Sequence, residues 1–210
     1  MKNLARFRSF ITGFTDLVAE KGIDESSIFE RGGKLLEVLV AHDDWLPDEC
    51  TQPHPQYYQQ YLLYCDPFER FSVVSFVWGP GQKTPVHDHC VWGMIGMLRG
   101  AENCRRFTLG APGQPMRAEE TCTLKPGTVD RVSPTVGDVH EVSNALADRP
   151  SISIHIYGAN IGAVARHVYD PATSAIKPFV SGYSIPMMPN FWRSEEHTSE
   201  LQSLRHLVCR

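Results

Sequence analysis

Residues 81–100 read GQKTPVHDHCVWGMIGMLRG, and the fold is decided in this stretch. A turn containing Gly and Pro leads to His87 and His89, and an apolar run, VWGMIGML, follows. In an extended strand residues two apart share a face, so both imidazoles can converge on one ion. A lone His-x-His pair says little, because surface and core histidines are common. The flanking glycines sharpen it: the spacing is Gly81-x5-His87-x-His89-x3-Gly93-x6-Gly100. Farther on, Gly137-x2-His140-x3-Asn144 supplies a third histidine.

Around these motifs, from about residue 70, short β-branched and aromatic runs (FSVVSFVW, CRRFTL, SISIHIYG) alternate with GPGQKTP and GAPGQP. Many short strands so punctuated predict an antiparallel sandwich or barrel. Upstream, Leu4, Phe7, Phe10, Ile11, Phe14, Leu17 and Val18 fall at helical spacing, with Gly22 as a C-cap. A second helix is expected from Ser26-Ser27 through Leu35, Leu36, Leu39 and Val40. The aromatic stripe of the first helix is expected to pack on the domain's own core, a blander reading than a partner-binding face. The two glycine-bracketed histidine motifs, in this order, resemble the first and second cupin motifs. That resemblance implies a mainly β fold: a cupin-type antiparallel β-barrel (jelly roll) with N-terminal helices, about residues 1–45, packed on it.

The chain has 210 residues, 42% hydrophobic and 21% charged, which suits one globular domain. A formal net charge of -4 argues against nucleic acid or an anionic membrane as partner. Arg6, Arg8 and Asp16 interrupt the N-terminal apolar residues, so no signal-peptide core is expected. No run approaches the roughly 20 apolar residues of a membrane span. The six cysteines show no CxxC pairing, favouring free thiols in a reducing cytosol and hence a cytoplasmic protein. Nothing in the sequence sets the oligomeric state. Residues 193–203, RSEEHTSELQS, read like a translated sequencing adapter, where the apolar pattern stops after Trp192. The expected domain is therefore 1–192, with His197, His206 and Cys209 set aside; the alternative is a genuine polar C-terminal helix.

Many cupins carry a Glu ligand where this chain has Gly93, so the expected site is three neutral imidazoles with the other positions open. Imidazole suits iron, copper, nickel and zinc alike, so ligand type does not choose the metal. Asp88, between two ligands, is expected to face away and play a supporting part. In SISIHIYG, Ser153, His155 and Tyr157 share one face and Ile152, Ile154 and Ile156 the other. An inward polar row can satisfy itself, hydroxyl to imidazole to phenol, and can move a proton. A surface strand with a wet polar face has the same pattern.

Together the His-x-His, His-x3-Asn and Ser-x-His-x-Tyr elements resemble the cysteine dioxygenase family over roughly residues 30–192. The resemblance implies iron(II) at His87, His89 and His140, an outer-sphere triad Ser153-His155-Tyr157, and oxidation of a small thiol by dioxygen to a sulfinic acid. Animal-type members place at the Gly93 position a cysteine crosslinked to the triad tyrosine, so Tyr157 is expected to be a free phenol here. They also hold the substrate carboxylate with an Arg at the place of Gln60. The chain is thus similar to the glutamine type of bacterial thiol dioxygenase, such as 3-mercaptopropionate dioxygenase. In that type a later arginine is implicated, and Arg166 is its match. A guanidinium can clamp a carboxylate bidentately, whereas Gln offers only amide hydrogen bonds. Arg166 in a surface ion pair, or Arg105 and Arg106 as the clamp, are the alternatives. A true cysteine dioxygenase, a non-catalytic metal-binding cupin and a zinc or nickel cupin remain as competing readings of the whole.

Overall fold

The computed structural model describes residues 2–184. Residues 185–192 of the expected domain and the segment 193–210, with His197, His206 and Cys209, lie outside the described residues. Helix α1 (Leu4–Ala19) buries Phe7, Phe10, Ile11, Phe14 and Leu17 along one stripe, and Gly22 turns the chain at φ 77°. The second helical segment starts where expected. Asp24 Oδ1 accepts from Ser27 N at 2.8 Å, capping α2 (Glu25–Ser27). A π turn over Ile28–Gly32, which periodicity does not reveal, leads into α3 (Gly33–Val40).

Eleven strands follow among the described residues: β1 (Gln59–Cys65), β2 (Ser72–Trp78), β3 (Val86–His87), β4 (Gly93–Arg99), β5 (Glu102–Thr108), β6 (Arg117–Leu124), β7 (Val129–Val132), β8 (His140–Asn144), β9 (Ser151–Tyr157), β10 (Arg166–Tyr169) and β11 (Ile176–Phe179). They form two antiparallel sheets, β1-β2-β9-β4-β7 and β11-β10-β3-β8-β5-β6. This is the cupin-type jelly roll expected.

The helices cover the outer face of the five-stranded sheet. Val73 and Val77 of β2, Met94 and Leu98 of β4 and Ile152, Ile154 and Ile156 of β9 join the aromatic stripe of α1 in the main core. Contact is close: a Cβ at Gly96 of β4 would stand 2.8 Å from Leu36 Cγ on α3. Each of the three isoleucines is fully buried, a gain of about 1.5–3 kcal/mol apiece from burial alone. The alternate residues of β2, β4 and β9 therefore point into the barrel. No helix among the described residues is long and apolar enough to cross a membrane. Cys50, Cys65, Cys90, Cys104 and Cys122 are free thiols.

Candidate metal centre and its cavity

The second sheet brings the histidines together. His87 ends the two-residue strand β3, pairing with His140 of β8 on one side and Val168 of β10 on the other. His89 does not lie at the start of an apolar strand: it sits in the loop after β3, and β4 begins at Gly93 in the opposite sheet. The chain must cross between sheets here, with Cys90 at φ 59°, so strand alternation does not aim His89. Asp138 holds that loop instead. Its Oδ1 accepts from His89 N at 3.1 Å and lies 2.8 Å from His89 Nδ1, while Oδ2 accepts from Cys90 N at 2.9 Å.

The three rings form a near-equilateral triangle, each pair of centroids 4.9 Å apart. One nitrogen from each lies within 4.8 Å of the others. Every Nδ1 is engaged behind its ring: His87 with Pro85 O at 3.1 Å, His89 with Asp138, His140 with Cys104 Sγ at 3.3 Å. That leaves the Nε2 atoms to converge, and His89 Nε2 is buried with no hydrogen-bond partner. Burial, helped by the neighbouring imidazoles, pushes His87 down to about 3 and His140 well below the usual histidine range. Neutral donors around an orphaned buried nitrogen fit a divalent transition metal, with second contacts fixing each ring.

The polar row of β9 lies on the inner face. Ser153 Oγ is 2.8 Å from His155 Nε2, and His155 Nδ1 is 2.7 Å from the Tyr157 hydroxyl. All seven residues of the strand are buried, so the wet-strand alternative does not hold. The His155 ring stacks on Phe76 at 4.1 Å, and the Tyr157 ring stacks on His89 at 5.3 Å. Burial, then the nearby metal-site imidazoles, lower His155 well below its usual range; burial raises Tyr157. Gly93 is the cross-strand neighbour of Tyr157, so at this position the ring meets backbone and no thiol.

Tyr157 and His87 open on a cavity of about 170 Å³ whose wall also includes Tyr58, Gln60, Phe76 and Arg166. Arg166 starts β10 and is 4% exposed. Its Nη2 donates to Ser181 Oγ at 2.8 Å, its Nη1 approaches Asp88 O at 3.5 Å, and its Cζ lies 4.6 Å over the Phe179 ring. Its Nε has no partner, and no carboxylate among the described residues pairs with it. The surface ion pair is thus not what this arginine makes. Arg105 donates to Glu119 O, and Arg106 is bound to Asp130 Oδ1 and Arg131 O, so neither serves this cavity. Asp88 faces away from the metal site, accepting from His167 N, His167 Nδ1 and Tyr169 Oη at 2.7–2.8 Å. Its burial raises the carboxyl, but these bonds outweigh that and hold it below the ordinary range. A larger recess of about 470 Å³ beside the π turn, between Phe29, Arg131 and Val136, contains none of these groups.

Three supporting residues escape a reading of the sequence: Asp138, Cys104 and Glu102. Asp138 stands two before His140, where its spacing to the ligand was the available signal. Glu102 of β5 is fully buried; its Oε1 accepts from Ser151 Oγ at 3.2 Å and its Oε2 has no partner.

Among solved structures, the chain is similar to a protein from Thermus thermophilus, at 21% identity over 54% of this chain and 96% of that one, with a TM-score of 0.42. It is also similar to a protein with a double-stranded beta-helix domain from Klebsiella pneumoniae, at 17% identity over 65% and 96%, TM-score 0.42. A cupin-like protein from Thermotoga maritima shares 22% identity over 48% and 67%, TM-score 0.35. Residues 68–167, the segment that carries the three histidines, the Ser153-His155-Tyr157 row and Arg166, match the family model described as cysteine dioxygenase type I, and this match supports the cysteine dioxygenase family for the chain.

Proposed function

We propose that this protein is an iron(II)-dependent dioxygenase of small thiol carboxylates, converting 3-mercaptopropionate, and L-cysteine less well, to the sulfinic acid. The observation that carries the reading is Arg166: a buried guanidinium with no carboxylate partner among the described residues, in the same cavity as His87 and Tyr157. Burying such a charge unpaired is costly, so a bound anion is its natural complement. Phe179 beneath the guanidinium and Ser181 at Nη2 fix its plane, leaving its fork to meet a carboxylate. This local charge also offers attraction that the net charge of -4 does not.

Iron(II) at His87, His89 and His140 would supply the redox chemistry by which both atoms of dioxygen pass to one thiol sulfur. Gln60, on the inner side of β1, offers amide hydrogen bonds to the same substrate. Among the described residues no Asp or Glu lines the cavity, so the ammonium of L-cysteine meets no carboxylate from them there. That favours the thiol acid without an amino group. His155 orients the Tyr157 hydroxyl, which can hold or deliver a proton at the reacting end of the cavity.

Oxygen uptake by iron(II)-loaded protein, with sulfinate quantified for both thiols, tests the reading. One sulfinate per dioxygen, formed faster from 3-mercaptopropionate, is expected. Equal or better turnover of L-cysteine would instead identify a cysteine dioxygenase. Full iron occupancy with no uptake on either thiol would leave a metal-binding cupin without this activity.

A further inference from the structure

The inward polar face of β9 does not stop at Ser153. Ser151, Ser153, His155 and Tyr157 share the inward face of the strand, and Glu102 reaches that face from β5 in the opposite sheet. Ser151 Oγ donates to Glu102 Oε1 at 3.2 Å, while Oε2, buried and unpartnered, is the remaining oxygen. Ser153, the next inward hydroxyl along β9, already meets His155 Nε2 at 2.8 Å and is the group towards which the unpartnered Oε2 can turn. We propose that Glu102 is the inner terminus of the relay, a positioning residue whose proton sets the direction of every hydrogen bond out to Tyr157.

The consequence follows from donor and acceptor counts. A neutral Glu102 donates to Ser153 Oγ, Ser153 donates to His155 Nε2, and His155 carries its proton on Nδ1, donating to the Tyr157 oxygen. The Tyr157 hydroxyl proton is then free to point into the cavity. If Tyr157 gives up that proton, the His155 Nδ1 proton moves to the tyrosine oxygen, the Ser153 proton to Nε2 and the Glu102 proton to Ser153. Four protons become three, with one delivered to the cavity. Glu102 is left as a carboxylate accepting from Ser153, and His155 becomes the Nε2–H tautomer. Tyr157 then donates back to Nδ1 and presents a lone pair, not a proton, to the substrate.

The surroundings suit a stored proton. Burial pushes Glu102 up to about 8, against the pull of the Ser153 and Ser151 hydroxyls, and no cation contributes. The buried titratable groups on the strands around it are His155 and Tyr157 of β9, His140 of β8 and Cys104 on β5 itself. Its cross-strand partners Asn144 of β8 and Leu124 of β6 are uncharged. So are Met97 of β4, paired with Ser153, and Trp78 of β2, whose Nε1 lies 3.5 Å from Ser153 Oγ.

This inference rests on the proposed dioxygenase reading for its purpose, but its test needs no turnover. The His155 tautomer is read from ring ¹⁵N shifts of the metal-free chain, labelled at histidine and assigned against His155→Gln, as pH is raised through the range where Glu102 ionises. The expected result is a change from Nδ1–H to Nε2–H in the wild type and a single tautomer throughout in Glu102→Gln. Ser153→Ala, which cuts the row while leaving the carboxyl in place, should also abolish the change. A wild-type tautomer that never changes, or a change that persists in either variant, overturns the proposal. Those readings stand whether or not the protein oxidises a thiol.

Discussion

Gly93 and Tyr157 are direct cross-strand partners, and a Cβ at Gly93 would stand 2.8 Å from Tyr157 Cδ1. The backbone of β4 is thus the surface against which the relay's phenol rests. Gly93→Ala must push the ring aside, with Val132 Cγ2 closing the other side at 3.0 Å. Overpacking of this kind costs about 1–3 kcal/mol. We expect intact metal binding, a lower melting temperature and turnover reduced about tenfold or more. Turnover within twofold of wild type would show that the ring position is not critical.

Arg166→Gln keeps much of the side-chain length and removes the charge. Loss of a buried charge-assisted pair costs about 2–5 kcal/mol, so kcat/KM for 3-mercaptopropionate should fall at least about 30-fold. Activity towards 2-mercaptoethanol, which has no carboxylate, should change little. An equal loss on both thiols would mean that Arg166 supports the fold and not recognition.

Metal retention separates the ligands from their supports. His140→Ala removes one of three imidazoles and should leave no stoichiometric iron after desalting. Asp138→Asn keeps the ligands but weakens the hold on His89, and affinity should drop about 10–100-fold. Wild-type iron content in His140→Ala would contradict the assigned centre.

Glu102 gives stability a defined pH slope. Its carboxyl is raised in the folded protein to about 8. Below the ordinary carboxylate range both folded and unfolded chains hold the proton, and there is no difference. Above it the unfolded chain releases a proton that the folded chain retains, so stability falls as pH rises towards 8 and stays lost beyond. Glu102→Gln removes that fall. Relative to wild type, the variant should gain on the order of a few kcal/mol between pH 4.5 and 8, measured by urea unfolding of metal-free protein. A difference from wild type that is the same at both pH values would count against a buried protonated carboxyl.

The glycine-bracketed histidines and the alternation of β9 were legible because each is a local pattern. His140 and His87 face one another through a single cross-strand pair, which brings the two motifs together. What local pattern could not give is sidedness. A strand alternating Ile with Ser, His and Tyr ordinarily turns its polar side to water, but here α1 and α3 cover the isoleucines and the polar side faces inward. Arg166 was likewise readable as a residue but not as a buried one, since Phe179 and Ser181 reach it from 13 and 15 residues away. The aim of His89 and the place of Glu102 depend on contacts across 49 positions each, to Asp138 and Ser151, which no window of sequence contains.

The two sides of the cavity differ in how the chain secures them. β9 is hydrogen-bonded on both edges and roofed on both faces, so its amides should exchange only when the whole domain opens. Arg166 belongs to β10, one strand from the end of its sheet, beside the partly exposed β11. The wall that carries the Ser153-His155-Tyr157 row is therefore the mechanically stiff one, and the wall that carries Arg166 is the more pliable. On the proposed function, a change of preferred thiol would be made at the sheet margin, through β10 and β11, with the β9 row left in place.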